Sequence, residues 1–233
     1  MKQDKFIQEL KNLNIDLTEI QLSQLELYYE MLLEYNKVMN LTGITEHDEV
    51  FLKHFYDSLT IAKIIDFTTV KSLCDIGTGA GFPGLVIKIC FPELKVTLLD
   101  SLNKRVEFLK DVIQKLNLKN IEVIHTRAEE YALFHRNEFD VTTARAVAHT
   151  SVLLEYAIPM TKVGKYFVAM KANVEEELME INNALKQLST KLIKKEEFLL
   201  PLENSKRTIL LFEKLKDNQH FPRKNSEIKK NRL

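Results

Sequence analysis

A doubly wound, mostly parallel seven-stranded α/β sheet with an N-terminal helical cap is the fold this sequence predicts, and two observations carry the prediction. Residues 1 to about 66 combine helical hydrophobic spacing with one glycine, Gly43, and no proline. From about Ser72 short apolar runs alternate with amphipathic stretches, as a parallel sheet with crossover helices requires. A length of 233 residues, 45% hydrophobic and 28% charged, suits one medium α/β body with a small appendage. The expected division is a helical cap over 1–66, an α/β domain over 67–216 and a basic tail over 217–233.

Taken in order, Leu22, Leu25, Leu32 and Leu33 give the cap its helical spacing. Thr45 and Asp48 resemble a capping box ahead of a second helical stretch bearing Val50, Phe51, Phe55 and Leu59. Strands are predicted at 73–76, 96–99, 121–124, 139–143 and 166–170, with helices at 83–90, 103–116, 151–159 and 174–188. The stretches 192–200 and 208–215 read as two further strands with no helix between them, hence a closing antiparallel hairpin. Beyond about Lys216 the chain has few apolar residues and is the candidate for disorder. From Gln219 on, Arg223, Lys224, Lys229, Lys230 and Arg232 face the single acid Glu227. The tail is therefore either a frayed terminus or an arm that contacts RNA, with Arg223 and Lys224 as candidate contacts.

Lys plus Arg number 33 and Asp plus Glu also 33, so affinity for a nucleic acid must come from local patches. No run of about 18 apolar residues and no signal-peptide pattern is present, so the expected compartment is the cytoplasm and no membrane association is expected. Cys74 and Cys90 lie in apolar stretches without metal-ligand spacing, which predicts two core thiols and no metal.

The most informative stretch is Leu73-Cys74-Asp75-Ile76-Gly77-Thr78-Gly79-Ala80-Gly81-Phe82-Pro83-Gly84, a buried strand running into glycines and then a helix that Pro83 helps to start. Glycines permit the positive φ of a tight turn and let a ligand approach the backbone. Two cofactors compete for such a cradle. Gly79, Gly81 and Gly84 satisfy the G-x-G-x-x-G of a dinucleotide fold, whereas Asp75 at the strand end gives D-I-G-T-G-A-G, which looks like the first motif of class I methyltransferases. Asp100 ends the second strand, where the ribose of either cofactor would meet a carboxylate. An acid there also caps a following helix.

An ordered set of motifs runs along nearly the whole chain: Asn40-Leu41-Thr42, then His54-Phe55-Tyr56-Asp57-Ser58-Leu59, the loop 75–85, and Leu99-Asp100-Ser101-Leu102-Asn103-Lys104-Arg105. Arg127-Ala128-Glu129-Glu130, Arg145-Ala146-Val147-Ala148 and Phe221-Pro222-Arg223-Lys224 complete it. With these motifs the chain resembles the RsmG (glucose-inhibited division protein B) family of 16S rRNA guanine-N7 methyltransferases. The resemblance implies a Rossmann-like class I methyltransferase domain over 67–216, S-adenosylmethionine as cofactor and 16S rRNA or the small ribosomal subunit as partner; a monomer is the expected state. It places cofactor contacts on Gly77 and Phe82, on Ala128 and Glu129, and on Arg145; Gly79 and Asp100 join them from the loop reading. Phe82 also reads as a core anchor, and Glu129 as a first-turn helix acid. Arg145, at the end of the fourth strand, is the one catalytic candidate, since open α/β sheets place reacting ligands at strand carboxyl ends. His54 and Asp57 match the family signature without acquiring a chemical role, and Asn40 reads equally as a helix-closing residue. Ala144, Ala172 and the tail after Lys224 depart from the family pattern, so RNA contacts near Lys171 and in the tail do not carry over.

Guanine N7 has a lone pair and no proton, so its methylation needs alignment rather than a strong base. No Asn-Pro-Pro-Tyr or Asp-Pro-Pro-Tyr is present, and neither cysteine sits where a pyrimidine C5 nucleophile would. A nicotinamide-dependent oxidoreductase and a non-catalytic RNA-binding module are the alternatives.

Overall fold

In the cap, α1 (Gln3–Lys11) buries Phe6 and Leu10, and α2 (Glu19–Met39) buries Leu25, Tyr28, Met31 and Leu32. The capping box lies at the start of α2, where Thr18 Oγ1 accepts from Gln21 N and Gln21 Oε1 accepts from Thr18 N at 2.8 Å. Gln21 also donates to the carbonyls of Ile89 and Cys90 at 2.9 and 3.0 Å, closing the end of a later helix. Asn40 closes α2 at φ 49°, the left-handed conformation asparagine tolerates.

The expected capping box at Thr45 and Asp48 is absent. The helical stretch starts one residue later, with Glu46 as N-cap and no side-chain cap, while the Thr45 carbonyl accepts from Tyr29 Oη at 3.1 Å. Nor is the stretch one regular helix. It runs α3 (His47–Val50), a π-helical segment (Phe51–Tyr56), α4 (Asp57–Leu59) and a 3₁₀ turn (Thr60–Lys63). Hydrophobic spacing distinguishes helix from strand but does not register a local widening of the turn.

This computed structural model describes residues 1–233 apart from the side chain of Lys229. Its seven strands are β1 (Ser72–Ile76), β2 (Lys95–Asp100), β3 (Ile121–His125), β4 (Phe139–Arg145), β5 (Thr161–Lys171), β6 (Thr190–Leu199) and β7 (Lys206–Lys214), in the sheet order β3-β2-β1-β4-β5-β7-β6. β1 to β5 are parallel. The closing hairpin is antiparallel as expected, with β7 inserted between β5 and β6. The helices α5 (Gly84–Cys90), α6 (Asn103–Lys115) and α8 (Thr150–Met160) occupy the predicted stretches.

Two helical details depart from expectation. The stretch 174–188 breaks at Ile181 into α9 (Glu175–Glu180) and α10 (Asn182–Gln187), and a seven-residue α7 (Ala128–Phe134), too short for a periodic signal, links β3 to β4. Because strand side chains alternate between faces, the sheet separates two cores. Leu73, Val96, Leu98, Val141 and Ile209 pack with the cap, α5 and α6; Cys74, Leu99, Ala144, Phe167 and Phe212 pack with α7 to α10.

The tail is not frayed. Arg136 clasps Asp217 at 2.8 Å and the carbonyl of Asn218, Phe221 and Ile228 are buried, and α11 (Asn225–Lys230) follows. Arg223 donates Nε and Nη2 to the two oxygens of the fully buried Glu155 carboxylate at 2.8 and 2.7 Å. Partners far away in sequence anchor this low-hydrophobicity segment, which composition cannot reveal. No helix among the described residues is long and apolar enough to cross a membrane.

Candidate functional site

The order in which the strands are laid down reverses between β1 and β4, both parallel, and in open α/β sheets the crevice at such a switch point takes the ligand. The glycine loop leaves the end of β1 there. Gly77, Gly79 and Gly81 have φ of 65°, 62° and 105°, which side chains rarely adopt. A Cβ at Gly77 would meet both methyls of Val147 at 3.0 Å.

Two buried carboxylates hold the loop. Asp75 Oδ2 accepts from Thr78 Oγ1 at 2.6 Å and from Gly84 N at 2.8 Å, tying the turn to the start of α5. Its other oxygen has no partner, and burial raises its carboxyl to about 6. Asp100 accepts from Gly79 N and from Leu102 N, each at 2.9 Å. From the cap, Tyr28 Oη donates to the Ala80 carbonyl, so the helices in front of the sheet also support the loop.

Gly77, Gly79, Phe82, Asp100 and Arg145 line one cleft of about 520 Å³, with Leu41, Thr42, His54 and Val147 completing its walls. Ala128 and Glu129 stand outside that lining. They open α7 beyond β3, in a turn fastened to the sheet by Thr126 N donating to the Asp100 carbonyl at 3.0 Å. Glu129 is buried, and its Oε1 accepts no hydrogen bond, with the Arg127 guanidinium 3.8 Å away. Such an orphan and a cradle that a Cβ would fill both suit a small polar ligand.

Phe82 serves both readings. It belongs to the core on the cap side, and it stacks on His54 at 4.5 Å between ring centroids with 17° between planes. The Arg145 guanidinium lies 5.0 Å from the same ring. Arg145 is not a free surface charge, because it donates to the Lys53 carbonyl at 3.2 Å, to Asp57 Oδ2 at 3.1 Å and to His54 Nδ1 at 3.3 Å. Arg207 Nε reaches the other Asp57 oxygen at 3.0 Å. One carboxylate of the cap thus bridges arginines from β4 and β7.

Behind this cluster opens a second cavity of about 410 Å³, lined by Lys53, Asp57, Met170, Lys171, Phe198 and Arg207 among others, with His54, Arg145 and Ala146 common to both cavities. Ala146 sits at φ 52°, unusual for a residue with a side chain. Its loop is held by Lys171, whose ammonium donates to the Ala148 carbonyl at 2.6 Å and to Glu177 at 2.9 Å. Glu177 also accepts from Thr150 N at 2.8 Å.

Sequence reasoning left His54 and Asp57 without a task and passed over Tyr28 and Arg207. Tyr28 has only the spacing of a core residue, and Arg207 sits in no motif. Of the tail candidates, Lys224 is exposed, whereas the guanidinium of Arg223 is committed to Glu155.

This chain resembles known proteins in both sequence and fold. It matches the family described as rRNA small subunit methyltransferase G over residues 21–209. The Ribosomal RNA small subunit methyltransferase G of Lysinibacillus sphaericus is 46% identical over 228 residues, covering 96% of each chain. The protein of the same name from an Exiguobacterium species is 49% identical over 228 residues, again with 96% of each chain covered. Among solved structures, a SAM dependent methyltransferase from Aquifex aeolicus aligns with a TM-score of 0.55 at 17% identity, over 74% of this chain and 96% of that one. M. jannaschii TYW2 in complex with AdoMet aligns at 0.56 and 15% identity, over 70% and 76%. The structural likenesses establish the class I methyltransferase fold.

Proposed function

The chain belongs to the rRNA small subunit methyltransferase G (GidB) family, and from that premise we propose that it transfers a methyl group from S-adenosylmethionine to N7 of a guanine in 16S rRNA. The observation that carries the reading is the pair of cavities meeting at the carboxyl ends of β1 and β4, one lined by loop backbone and Asp100, the other by apolar side chains and ion-paired Lys53 and Arg207, with His54 and Arg145 between them.

In this reading the first cleft holds the cofactor. Gly77 and Gly79 let it approach the backbone, Asp100 takes the ribose hydroxyls, Phe82 offers an apolar wall, and Ala128 with Glu129 frames the adenine end. When bound, S-adenosylmethionine supplies an electrophilic methyl on a sulfonium. The dinucleotide alternative is disfavoured because Gly84 N, the first amide of α5, already donates to Asp75. A carboxylate therefore stands where a pyrophosphate would use the helix start.

The second cavity receives the guanine, which must leave its stack or come from single-stranded RNA. Lys53 and Arg207 stand at its wall, ion-paired with Glu49 and Glu203 and with Asp57, and reach the RNA backbone by exchanging those carboxylates for phosphates. No side chain has to remove a proton from N7, so the residues bind, orient and exclude other geometries. The cap, 1–66, supports the loop through Tyr28 and delivers His54 and Asp57; residues 67–216 carry the transfer, and 217–233 close the α8 side of the sheet.

The test is calorimetric titration of the purified protein with S-adenosylhomocysteine and, in parallel, NADH, followed by transfer of labelled methyl to unmethylated small subunits. Binding of S-adenosylhomocysteine alone, with label at one guanine N7, is the expected result. Binding of NADH alone, or label on an exocyclic amine, overturns the proposal.

A further inference from the structure

His54 occupies the π-helical segment of the cap and faces both cavities. One ring face stacks on Phe82, Nε2 lies 2.7 Å from Thr42 Oγ1, and Nδ1 lies 3.3 Å from Arg145 Nη2. A guanidinium only donates, so Nδ1 must present its lone pair to Arg145 and the ring proton must sit on Nε2. Thr42 Oγ1, which also accepts from Ile44 N at 3.0 Å, takes that proton's hydrogen bond. Burial and the charge of Arg145 depress the imidazole to about 3, so the ring that makes these contacts is neutral at working pH.

The acceptors of Arg145 all come from one stretch of the cap: the Lys53 carbonyl, the His54 ring and the Asp57 carboxylate. This matters for the chemistry of the proposed acceptor. An unrestrained arginine meeting guanine takes O6 and N7 together as a bidentate pair, which would cover the lone pair that has to attack.

We propose that His54 is a positioning residue for methyl transfer: its Nδ1 lone pair engages Nη2 of Arg145 and keeps the guanidinium in the wall between the cavities, away from guanine N7. The inference rests on the methyl-transfer reading above. Asp57 and the Lys53 carbonyl hold Nη1, and His54 holds Nη2, so losing the imidazole acceptor frees the nitrogen able to compete for N7.

Two variants separate this role from packing. In His54→Asn the side-chain oxygen falls near the place of Nδ1, whereas in His54→Gln the amide reaches toward the place of Nε2 and Thr42. Steady-state methylation of small subunits should show kcat of His54→Gln falling by about 100-fold, the scale of a misplaced alignment group, with KM for the subunit not raised and S-adenosylhomocysteine affinity unchanged. His54→Asn should recover most of the lost rate. Equal losses in the two variants, a fall confined to cofactor affinity, or a raised KM at unchanged kcat overturns the proposal. A second measurement needs neither RNA nor a variant: imidazole ¹⁵N–¹H correlation of the wild-type protein should show a neutral Nε2–H tautomer for His54 at pH 7, and a charged ring or an Nδ1–H tautomer overturns it too. Failure of the methyl-transfer reading would leave wild-type protein inactive; failure of this inference would leave wild-type protein active, without the kcat difference between His54→Asn and His54→Gln.

Discussion

The glycine loop and the wall beside it border the same cleft, and they are built in opposite ways. The loop is ten consecutive residues, 75–84, whose surface is mostly backbone and whose shape is held by Asp75 and Asp100 accepting from Thr78, Gly79 and Gly84. The wall joins His54 and Asp57 of the cap, Phe82 of the loop, Arg145 of β4 and Arg207 of β7, and its contacts run through side chains. A backbone surface is damaged by added bulk. A side-chain network is damaged by lost acceptors or misplaced charge. The two regions should therefore answer to different substitutions and different readouts.

The largest effect should come from bulk in the loop. Gly77→Val places a branched side chain at φ 65°, with Val147 already 3.0 Å from the first added carbon. Strain of about 1–3 kcal/mol plus the displaced wall should weaken S-adenosylhomocysteine binding by about 100-fold in a folded protein, read by calorimetry. Unchanged affinity would remove the loop from the site. In the wall, Arg145→Ala should leave cofactor affinity nearly intact and lower kcat by about 100-fold, read as methyl incorporation into small subunits; a loss of cofactor affinity equal to that of Gly77→Val would merge the two regions into one.

Acid titration sharpens the contrast, because the two regions carry buried groups shifted in opposite senses. Asp75 keeps its proton to about 6 in the folded chain against an ordinary 3.8, so between those values the folded state binds the extra proton and rising pH lowers stability. His54 is held to about 3 against 6.5, so the unfolded chain binds the extra proton and falling pH lowers stability. Between about pH 4 and 6 the two slopes oppose each other, each amounting to about 1.4 kcal/mol per pH unit. Relative to wild type, Asp75→Asn should lose stability as pH falls through this window and His54→Asn should gain it, both measured by urea unfolding. The same sign in both variants would break the assignment. The smallest effect belongs to the contact that couples cap to loop: Tyr28→Phe removes one hydrogen bond to Ala80 and should lower stability by about 1 kcal/mol, with a slight loss of cofactor affinity. No change in either would detach the cap from the loop.

The contrast also explains what was readable in advance. The loop announces itself because its function needs glycines at fixed spacing between a strand and a helix, a local requirement written in consecutive residues. Gly77, Gly79 and Phe82 of the loop, with Asp100 and Arg145 at strand ends, are the candidates legible in sequence that line one cleft. The wall leaves no such trace. Arg207 lies 150 positions from Asp57 and belongs to no motif, and Tyr28 has the spacing of any core tyrosine. The tail misled in the other direction, since the ion pairs Arg223–Glu155 and Arg136–Asp217 tie down a segment whose composition reads as solvated.

Fold class, the run of strands, the glycine cradle and the family were legible along the chain, because apolar periodicity and backbone freedom are properties of neighbouring residues. Long-range packing sets the rest: β7 enters between β5 and β6, a π-helical turn carries His54 to Arg145, and two cavities meet at that pair. Those outcomes depend on which distant surfaces bury together and which buried charges find partners, and packing decides both.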